Sequence, residues 1–268
     1  MSNQELLQTN SENAVVVALD HGIAKGNVEG FERPRETLKS VLEGSPDGII
    51  ARAPFVERYR NLLSGTDTDV VLAPDVLAYS TLPAQDDGDD MWTGAFSPEF
   101  ITEFDPVGVK VVLNFGRKDC DLHRENIEYI IGLYEELRKT EISLVVETVM
   151  WGENVPNGYD NNMENLGNAA RIGWELGADI LKLPYTGERE KYADLVERTP
   201  VPCMILGGPA TTPEATLTDV EEAMQAGARG VMIGRSIWQT SDPAGMVQAM
   251  RRIVHEEQSA TEVEVPLS

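Results

Sequence analysis

The chain has 268 residues and a formal charge of -23, with 45 acidic residues against 22 basic ones. This acidic balance disfavours nucleic-acid binding, because a phosphate backbone attracts basic surfaces. Seven of the basic residues are lysines and fifteen are arginines. An acid-rich, lysine-poor composition is typical of proteins from a salt-loaded cytoplasm, where screening weakens self-repulsion. We therefore expect a halophilic source, with an ordinary acidic cytosolic protein as the alternative.

The cysteines and histidines give no sign of a disulfide framework or a metal site. Cys120 and Cys203 are too few for such a framework and lack metal-ligand spacing. His21, His123 and His255 lie far apart in the sequence and form no ligand motif, so we expect no metal. The N-terminus is polar, and no apolar run approaches ~18 residues, the length that spans a bilayer. We expect a soluble, cytoplasmic protein with no membrane partner.

Short apolar runs alternate with helix-period segments along the whole chain. Near-continuous hydrophobic strands separated by amphipathic helices indicate an α/β fold whose parallel sheet is buried on both faces. Eight such units in about 250 residues predict a (β/α)8 TIM barrel, spanning about residues 14–255 of a single domain, 1–268. A doubly wound open sheet is the alternative. The predicted strands are Ala14–Asp20, Gly48–Arg52, Asp69–Ala73, Gly108–Asn114, Ser143–Met150, Asp179–Pro184, Pro202–Leu206 and Gly230–Ile233. The predicted helices lie near 33–43, 54–63, 97–104, 122–139, 162–176, 188–198, 213–226 and 236–256.

Two segments depart from this alternation. Residues 83–92, which end in Met91 and Trp92, read as a long acidic loop after the third strand. Loops that follow barrel strands lie at the catalytic face, so this segment is a candidate lid, with a merely solvated loop as the alternative. The acidic tail, about 256–268, is expected to fray.

The sixth predicted strand carries Lys182 within its apolar run. Because taking an ammonium out of water is costly, such a lysine is usually paired, or kept neutral for covalent chemistry. A neutral amine can attack a carbonyl and form a Schiff base. The alternative is a lysine whose stem crosses the core and whose head reaches water or a carboxylate. A lysine-poor chain that places Lys110 and Lys182 inside strands favours the covalent reading.

Four charged residues fall within apolar strands that would meet at one barrel mouth: Asp20, Lys110, Glu147 and Lys182. Converging there, two ammoniums and two carboxylates can satisfy one another. A second ammonium would help to keep Lys182 neutral, and a carboxylate could relay protons. A buried ion-pair network that only holds the barrel together is the alternative.

The last two predicted strands end in glycines that suggest an anion site. Gly207 and Gly208 follow the seventh strand, and Gly234 and Arg235 follow the eighth. Glycines allow backbone N–H groups to approach a phosphate, and the helix that starts near Ser236 points its positive end there. Phosphate binding after strands 7 and 8 recurs in TIM barrels. A pair of tight turns is the alternative.

Four motifs follow one another along the chain: Asp20-His21-Gly22, Lys182-x-x-Tyr185-Thr186-Gly187, Gly207-Gly208-Pro209 and Gly230-Val231-x-Ile233-Gly234-Arg235-x-Ile237. Together they resemble the archaeal-type class I fructose-bisphosphate aldolases, over about residues 14–255. The same superfamily contains deoxyribose-phosphate aldolase, tagatose-bisphosphate aldolase and the aminodideoxyheptulosonate synthases. The resemblance implies that Lys182 forms the Schiff base, that Asp20 is a site carboxylate, and that Gly207, Gly208, Gly234 and Arg235 bind phosphate. Tyr185 is a further candidate catalytic residue.

The fifth strand departs from the family pattern. The fructose-bisphosphate aldolases and the heptulosonate synthases end it with Tyr-Pro-Arg-Gly, whose tyrosine is the general acid/base, whereas here Glu147 is followed by Thr148-Val149-Met150. A glutamate on this strand, with Lys110 on the strand before, is more similar to the tagatose-bisphosphate and sulfosugar-phosphate aldolases. The motifs therefore predict the lyase chemistry rather than the sugar.

The sequence thus predicts a metal-independent class I aldolase that acts on a phosphorylated ketose, with fructose 1,6-bisphosphate as the leading substrate. It needs no cofactor beyond the lysine imine, and we expect a homo-oligomer. Glu147 would move the proton of the C4 hydroxyl, Asp20 would assist carbinolamine turnover, and Lys110 would steer the anionic substrate. Alternatives are a related sugar-phosphate aldolase, a heptulosonate-type transferase, a non-covalent isomerase or synthase, and a non-catalytic ligand-binding barrel.

Overall fold

The chain forms parallel strands wrapped by helices, with one antiparallel hairpin. The computed structural model describes residues 5–78, 91–158, 162–208 and 211–265. The strands in these ranges are β1 (Ala14–Ala18), β2 (Gly48–Ala51), β3 (Asp69–Leu72), β4 (Asp75–Ala78), β5 (Met91–Gly94), β6 (Gly108–Phe115), β7 (Ser143–Met150), β8 (Ile180–Pro184), β9 (Cys203–Leu206) and β10 (Gly230–Ile233). The helices are a 3-10 turn (Glu5–Leu7), α1 (Gly22–Lys25), α2 (Pro34–Glu43), α3 (Ala53–Leu63), α4 (Pro98–Thr102), α5 (Cys120–Leu137), α6 (Met163–Glu175), α7 (Arg189–Arg198), α8 (Pro213–Gln225), α9 (Arg235–Trp238) and α10 (Pro243–Glu256).

The parallel strands close into a barrel in the order β1, β10, β9, β8, β7, β6, β3 and β2, and β2 pairs back to β1. Each of these strands follows its sequence neighbour around the ring, as right-handed βα units require. The prediction of a TIM barrel is therefore confirmed. None of the helices in the described ranges has the length and apolar character needed to cross a membrane.

The core has two layers because successive strand side chains point to opposite faces. One set, including Val16, Ile50, Val145 and Met232, fills the barrel interior, and Leu6 from the N-terminal turn packs with it. A larger set lies between the strands and the surrounding helices. The apolar runs that predicted the strands are buried on both faces, as the pattern requires.

The last helix differs from its prediction. The segment predicted as one helix over 236–256 forms two helices, α9 and α10, which are separated by residues 239–242. Pro243 cannot donate a backbone hydrogen bond, so it begins a helix rather than continuing one. Asp242 caps α10, because its Oδ1 accepts the N–H of Gly245 at 2.9 Å.

The hairpin formed by β4 and β5 was not predicted. Met91 and Trp92 belong to β5 rather than to a solvated loop, and Trp92 is only 6% exposed. Its ring packs in a small cluster with Leu77, Val112 and Val149 above the barrel interior. The rest of the predicted acidic loop, 83–90, lies outside the described residues, and the lid remains a prediction.

The tail also differs from expectation up to residue 265. Val263 is buried against the main core, and the backbone N–H of Ala260 donates to Glu221 of α8 at 2.8 Å. The expectation that this part frays was wrong, because Val263 is buried and Ala260 and Val265 pack beside it against the core.

Candidate active site

Four charged side chains meet inside the barrel at the carboxyl ends of its strands. Lys110 Nζ lies 2.9 Å from Asp20 Oδ2 and 3.0 Å from Glu147 Oε2. Lys182 Nζ lies 3.0 Å from the same Glu147 oxygen. We refer to Asp20, Lys110, Glu147 and Lys182, joined in that order, as the lysine–carboxylate chain. The structure thus brings together the four charged side chains that the sequence predicts at one barrel mouth.

The strand register explains this arrangement. Glu147 on β7 is the register partner of Lys182 on β8 and of Val112 on β6. Lys110 lies two residues before Val112, so all three charged side chains point to the same face, the barrel interior. Asp20 follows β1 by two residues and reaches Lys110 from the far side of the barrel.

The electrostatics of the lysine–carboxylate chain favour ionised carboxylates and a protonated Lys110. Burial would raise the pKa of Asp20, but Lys110, with smaller contributions from His21, Arg52 and Lys182, holds the pKa of that carboxyl well below its usual range. Burial likewise opposes ionisation of Glu147, yet Lys110 and Lys182 lower its pKa. Burial would lower the pKa of Lys110, whereas Asp20 and Glu147 hold it above its usual range. Lys110 therefore stays charged, and its amine is not free for covalent chemistry.

A cavity of about 100 Å³ opens onto the lysine–carboxylate chain. His21 lines the cavity with its Nδ1 3.7 Å from Asp20 Oδ1, and its ring meets that of Trp238 edge-on. Burial lowers the pKa of His21 to about 4, so the ring is neutral at pH 7. The cavity's remaining polar lining residues are Lys25, Arg52, Asp75, Trp151 and Arg235.

Arg52 and Asp75 were missed by the sequence reading. Arg52 is buried and donates to the backbone oxygens of Asp20, Ala73 and Asp75, which ties the ends of three strands together. Asp75 is 1% exposed and begins β4. Arg52 closed a predicted strand and Asp75 opens the hairpin that was not predicted. The sequence signal that could have revealed Asp75 is an aspartate two residues after a predicted strand, where the strand meets the catalytic face.

The predicted phosphate-binding residues lie beside the same mouth. Arg235 lines the cavity together with Lys182. A Cβ at Gly234 would lie 2.6 Å from the Ala18 carbonyl oxygen, so no larger residue fits there without a shift of the backbone. Gly207 lies against the side chain of Ile233. Gly208 is exposed and has open space around its α-carbon. Pro209 lies outside the described residues.

Tyr185 does not join the lysine–carboxylate chain. Its hydroxyl donates to Glu222 on α8 at 2.7 Å, and its ring contacts Tyr192 on α7 edge-on. Burial and Glu222 raise the pKa of Tyr185 well above its usual value. Tyr185 is three residues after Lys182, so the alternation of β8 turns it toward the helices. Tyr185 therefore lies apart from the lysine–carboxylate chain, and its catalytic role stays a prediction.

Within the described ranges, no three His, Cys, Asp or Glu side chains are grouped in a way that could hold a metal ion. The barrel and its lysine–carboxylate chain define the class of TIM-barrel enzymes with a lysine at the catalytic face. The family model described as DeoC/LacD family aldolase matches residues 14–240. The chain belongs to this aldolase family and is an enzyme of the class I aldolase type.

Individual relatives agree with this assignment but carry different activities. The class 1 fructose-bisphosphate aldolase of Thermoproteus tenax is 27% identical, over 90% of this chain and 89% of its own. A 2-amino-3,7-dideoxy-D-threo-hept-6-ulosonate synthase of Halobacterium salinarum is 26% identical, over 91% and 87%. An archaeal fructose-1,6-bisphosphate aldolase, solved with its catalytic lysine covalently bound to the carbinolamine intermediate, is 26% identical. It has a TM-score of 0.80 and covers 94% of this chain and 98% of its own.

Proposed function

We propose that this protein cleaves and forms a C–C bond of a phosphorylated ketose through an imine on Lys182. The observation that carries the proposal is the sharing of Glu147 by two lysines. Lys110 is held by two carboxylates, while Lys182 has only the shared Glu147 oxygen within ion-pair distance among the described residues. Glu147 therefore keeps a cation beside it, in Lys110, while the Lys182 nitrogen reacts with the ketone.

The distances suggest a division of labour among the carboxylates. Glu147 Oε2, 3.0 Å from Lys182 Nζ, is within reach of the protons that move during carbinolamine formation and dehydration. The sequence had assigned that role to Asp20, which contacts Lys110 instead. We propose that Asp20 maintains the charge of Lys110, and that Glu147 serves the Lys182 nitrogen.

Substrate anions would be held on the β9–β10 side of the mouth. Arg235 supplies a guanidinium that can form paired hydrogen bonds to a phosphate, and Gly234 keeps the backbone close to β1. Gly207 and Gly208 extend the same edge. Together with Lys110 and Arg52, Arg235 gives an acidic protein a locally cationic mouth, which suits a phosphorylated sugar.

Fructose 1,6-bisphosphate is the first substrate that we propose, because the Thermoproteus tenax relative and the solved archaeal structure are aldolases for that sugar. A transferase is the second candidate, because the heptulosonate synthase relative is almost equally similar. Both reactions would use the same Lys182 imine and would differ only in the acceptor of the carbon fragment.

Borohydride trapping tests the covalent step. The protein is incubated with dihydroxyacetone phosphate, reduced with borohydride in molar KCl, and mapped by mass spectrometry. We expect inactivation and a reduced adduct on Lys182, none on Lys110, and none in Lys182→Arg, because a guanidinium cannot form an imine. Lys191→Arg, a change of an exposed lysine on α7, is the matched control. Turnover without an adduct would support the non-covalent isomerase or synthase, and binding without turnover would support a ligand-binding barrel.

A panel of phosphorylated ketoses and aldehydes then distinguishes the sugars. Fructose, tagatose, sulfosugar and deoxyribose phosphates are assayed for cleavage in high salt, and amino-aldehyde acceptors for transfer. Fructose 1,6-bisphosphate should give the highest kcat/KM. A larger kcat/KM for another sugar phosphate would identify that sugar as the substrate and would leave the proposed mechanism unchanged.

We also propose that the enzyme works in a salt-rich cytoplasm as a homo-oligomer. The net charge of -23 supports the first statement. Exposed Ile131 and Tyr134 on α5 and Ile172 on α6 offer apolar surface for the second. Sedimentation in molar KCl measures the assembly, and a monomer at all concentrations would contradict it.

A further inference from the structure

We propose that Asp75 is the general acid–base that exchanges a proton with the C4 hydroxyl of the ketose while its C3–C4 bond breaks or forms. This inference rests on the proposed imine at Lys182. It fills the role left open by the missing strand 5 tyrosine, because Glu147 is engaged at the Lys182 nitrogen.

Asp75 lies at the catalytic face of the barrel, where the carboxyl ends of the strands meet. It begins β4 just after β3 ends at Leu72, so it is at the carboxyl end of a barrel strand. It lines the same cavity as Lys110 and Lys182. Its backbone oxygen accepts from Arg52, which also holds the backbone of Ala73 and so fixes this corner of the mouth.

The carboxyl group of Asp75 is oriented by two donors on one oxygen. Oδ2 accepts the backbone N–H of Val112 at 2.9 Å and the Nε1–H of Trp92 at 3.1 Å. Oδ1 accepts no hydrogen bond from any described residue, although Asp75 lines the cavity. Trp92 is itself held by packing, with its ring 5.7 Å from that of Tyr129. One oxygen is thus fixed to the protein, and the other is left for a ligand.

Asp75 differs electrostatically from the two carboxylates of the chain. Asp20 and Glu147 are each about 3 Å from a lysine nitrogen, whereas Asp75 has no ion pair within 4 Å among the described residues. Burial raises its pKa. Lys110 on β6, the Val112 N–H, Arg52 after β2, and Trp92 on β5 oppose that rise only in part. Because a general base is more effective as its pKa approaches the working pH, Asp75 is better suited to proton transfer than Asp20 or Glu147.

The proton and electron balance of the step is closed by the groups already present. In cleavage, C2 of the ketose is bound to the Lys182 nitrogen as a protonated imine. The Asp75 carboxylate takes the C4 hydroxyl proton, C4 becomes the aldehyde carbon, and the C3–C4 bond breaks. Its electron pair forms the C2–C3 double bond and neutralises the imine nitrogen as an enamine. In synthesis, the protonated Asp75 returns the proton to the aldehyde oxygen.

The test compares cleavage with imine formation in Asp75→Asn. We expect kcat for cleavage to fall by about 10²–10⁴-fold. Borohydride trapping of dihydroxyacetone phosphate on Lys182 should be retained, because that step does not use Asp75. Asp47→Asn is the matched control: Asp47 is also largely buried and hydrogen-bonded, but it contacts His255 and Arg251 at the opposite end of the barrel. That variant should lose stability and keep its kcat.

Trp92→Phe gives a second readout that does not require loss of the carboxyl group. Removing the Nε1–H removes a hydrogen bond that favours ionised Asp75, so the pKa of Asp75 should rise further. Cleavage needs the carboxylate, so the acidic limb of the kcat–pH profile should move to higher pH, and Asp75→Asn should lack this limb. Cleavage in Asp75→Asn within about threefold of the unmodified protein, or an unmoved limb in Trp92→Phe, would overturn the assignment. Absence of trapping in the unmodified protein would instead overturn the imine on Lys182.

Discussion

Replacing Lys110 by methionine should lower the stability of the folded protein, because it removes the cation that two buried carboxylates share. Lys110 Nζ is within 3.0 Å of both Asp20 and Glu147, and its side chain is 5% exposed. Methionine keeps most of the volume, but among the described residues it leaves Asp20 with only neutral His21, at 3.7 Å, within ion-pair distance, while Glu147 retains Lys182. Breaking a buried ion pair by removing one partner typically costs about 3–5 kcal/mol. For a domain of this size that corresponds to a fall in Tm of roughly 6–20 °C.

The pH dependence separates this cause from lost packing. Burial alone would raise the pKa of Asp20 and of Glu147 in the folded protein. Lys110 lowers both pKa values. A carboxylate with a lowered folded-state pKa contributes stability above its unfolded pKa of about 4, and that contribution is lost as the pH falls below this value. The difference between the unmodified protein and Lys110→Met should therefore be full at pH 7 and shrink below about pH 4.

Urea unfolding in molar KCl, followed by circular dichroism at pH 7 and pH 3.5, measures both effects. Lys39→Met is the control, because its pair with Glu43 is exposed on α2 and should contribute about 0.5 kcal/mol or less. Adding Asp20→Asn to Lys110→Met should recover part of the loss. A loss below about 1 kcal/mol at pH 7, or one of equal size at both pH values, would refute the ion-pair reasoning.

Three further predictions concern metal, salt and phosphate. Activity should survive exhaustive EDTA, since the iminium supplies the electron sink, and inactivation rescued by a divalent ion would contradict the Schiff-base route. Circular dichroism and sedimentation should show loss of structure or assembly on desalting, reversed by molar KCl or NaCl, because the Debye length grows to ~30 Å at 0.01 M; full stability in dilute buffer would refute the halophilic reading. Arg235→Ala and Gly208→Leu should raise KM for phosphorylated substrates by roughly 10- to 150-fold, the equivalent of about 1.5–3 kcal/mol. Arg229→Ala, on the opposite face of the barrel, should not, and an unchanged KM in both site variants would place the anion site elsewhere.

The barrel was predictable because its signal is repeated. Each strand is an apolar run buried on both faces, and eight repeats leave few alternative folds. The site was predictable for a related reason, since Lys110, Glu147 and Lys182 are expensive exceptions within such runs. A charge that interrupts a buried strand needs partners, and the parallel register brings the partners to one mouth.

The parts that were missed depend on contacts between residues distant in sequence. The β4–β5 hairpin joins Asp75 to Gly94 across a long insertion, and its strands are only four residues each. Asp75 looks like a turn residue until Trp92 and Val112 are seen to donate to it. The position of Tyr185 apart from the lysine–carboxylate chain was missed for another reason, because a motif records spacing but not which face of β8 a side chain occupies.

The order of charges along the lysine–carboxylate chain explains why two lysines serve better than one. In an isolated Lys–Glu pair, loss of the lysine proton would leave a buried carboxylate without a cation, and that state is costly enough to keep the lysine charged. Here Lys110 and Lys182 share the same Glu147 oxygen, at 3.0 Å each. When Lys182 becomes a neutral amine, Glu147 remains paired with Lys110, and Lys110 remains paired with Asp20. The lysine–carboxylate chain therefore keeps Asp20, Lys110 and Glu147 compensated when Lys182 carries the proposed imine, and Lys110→Met should impair imine formation as well as stability.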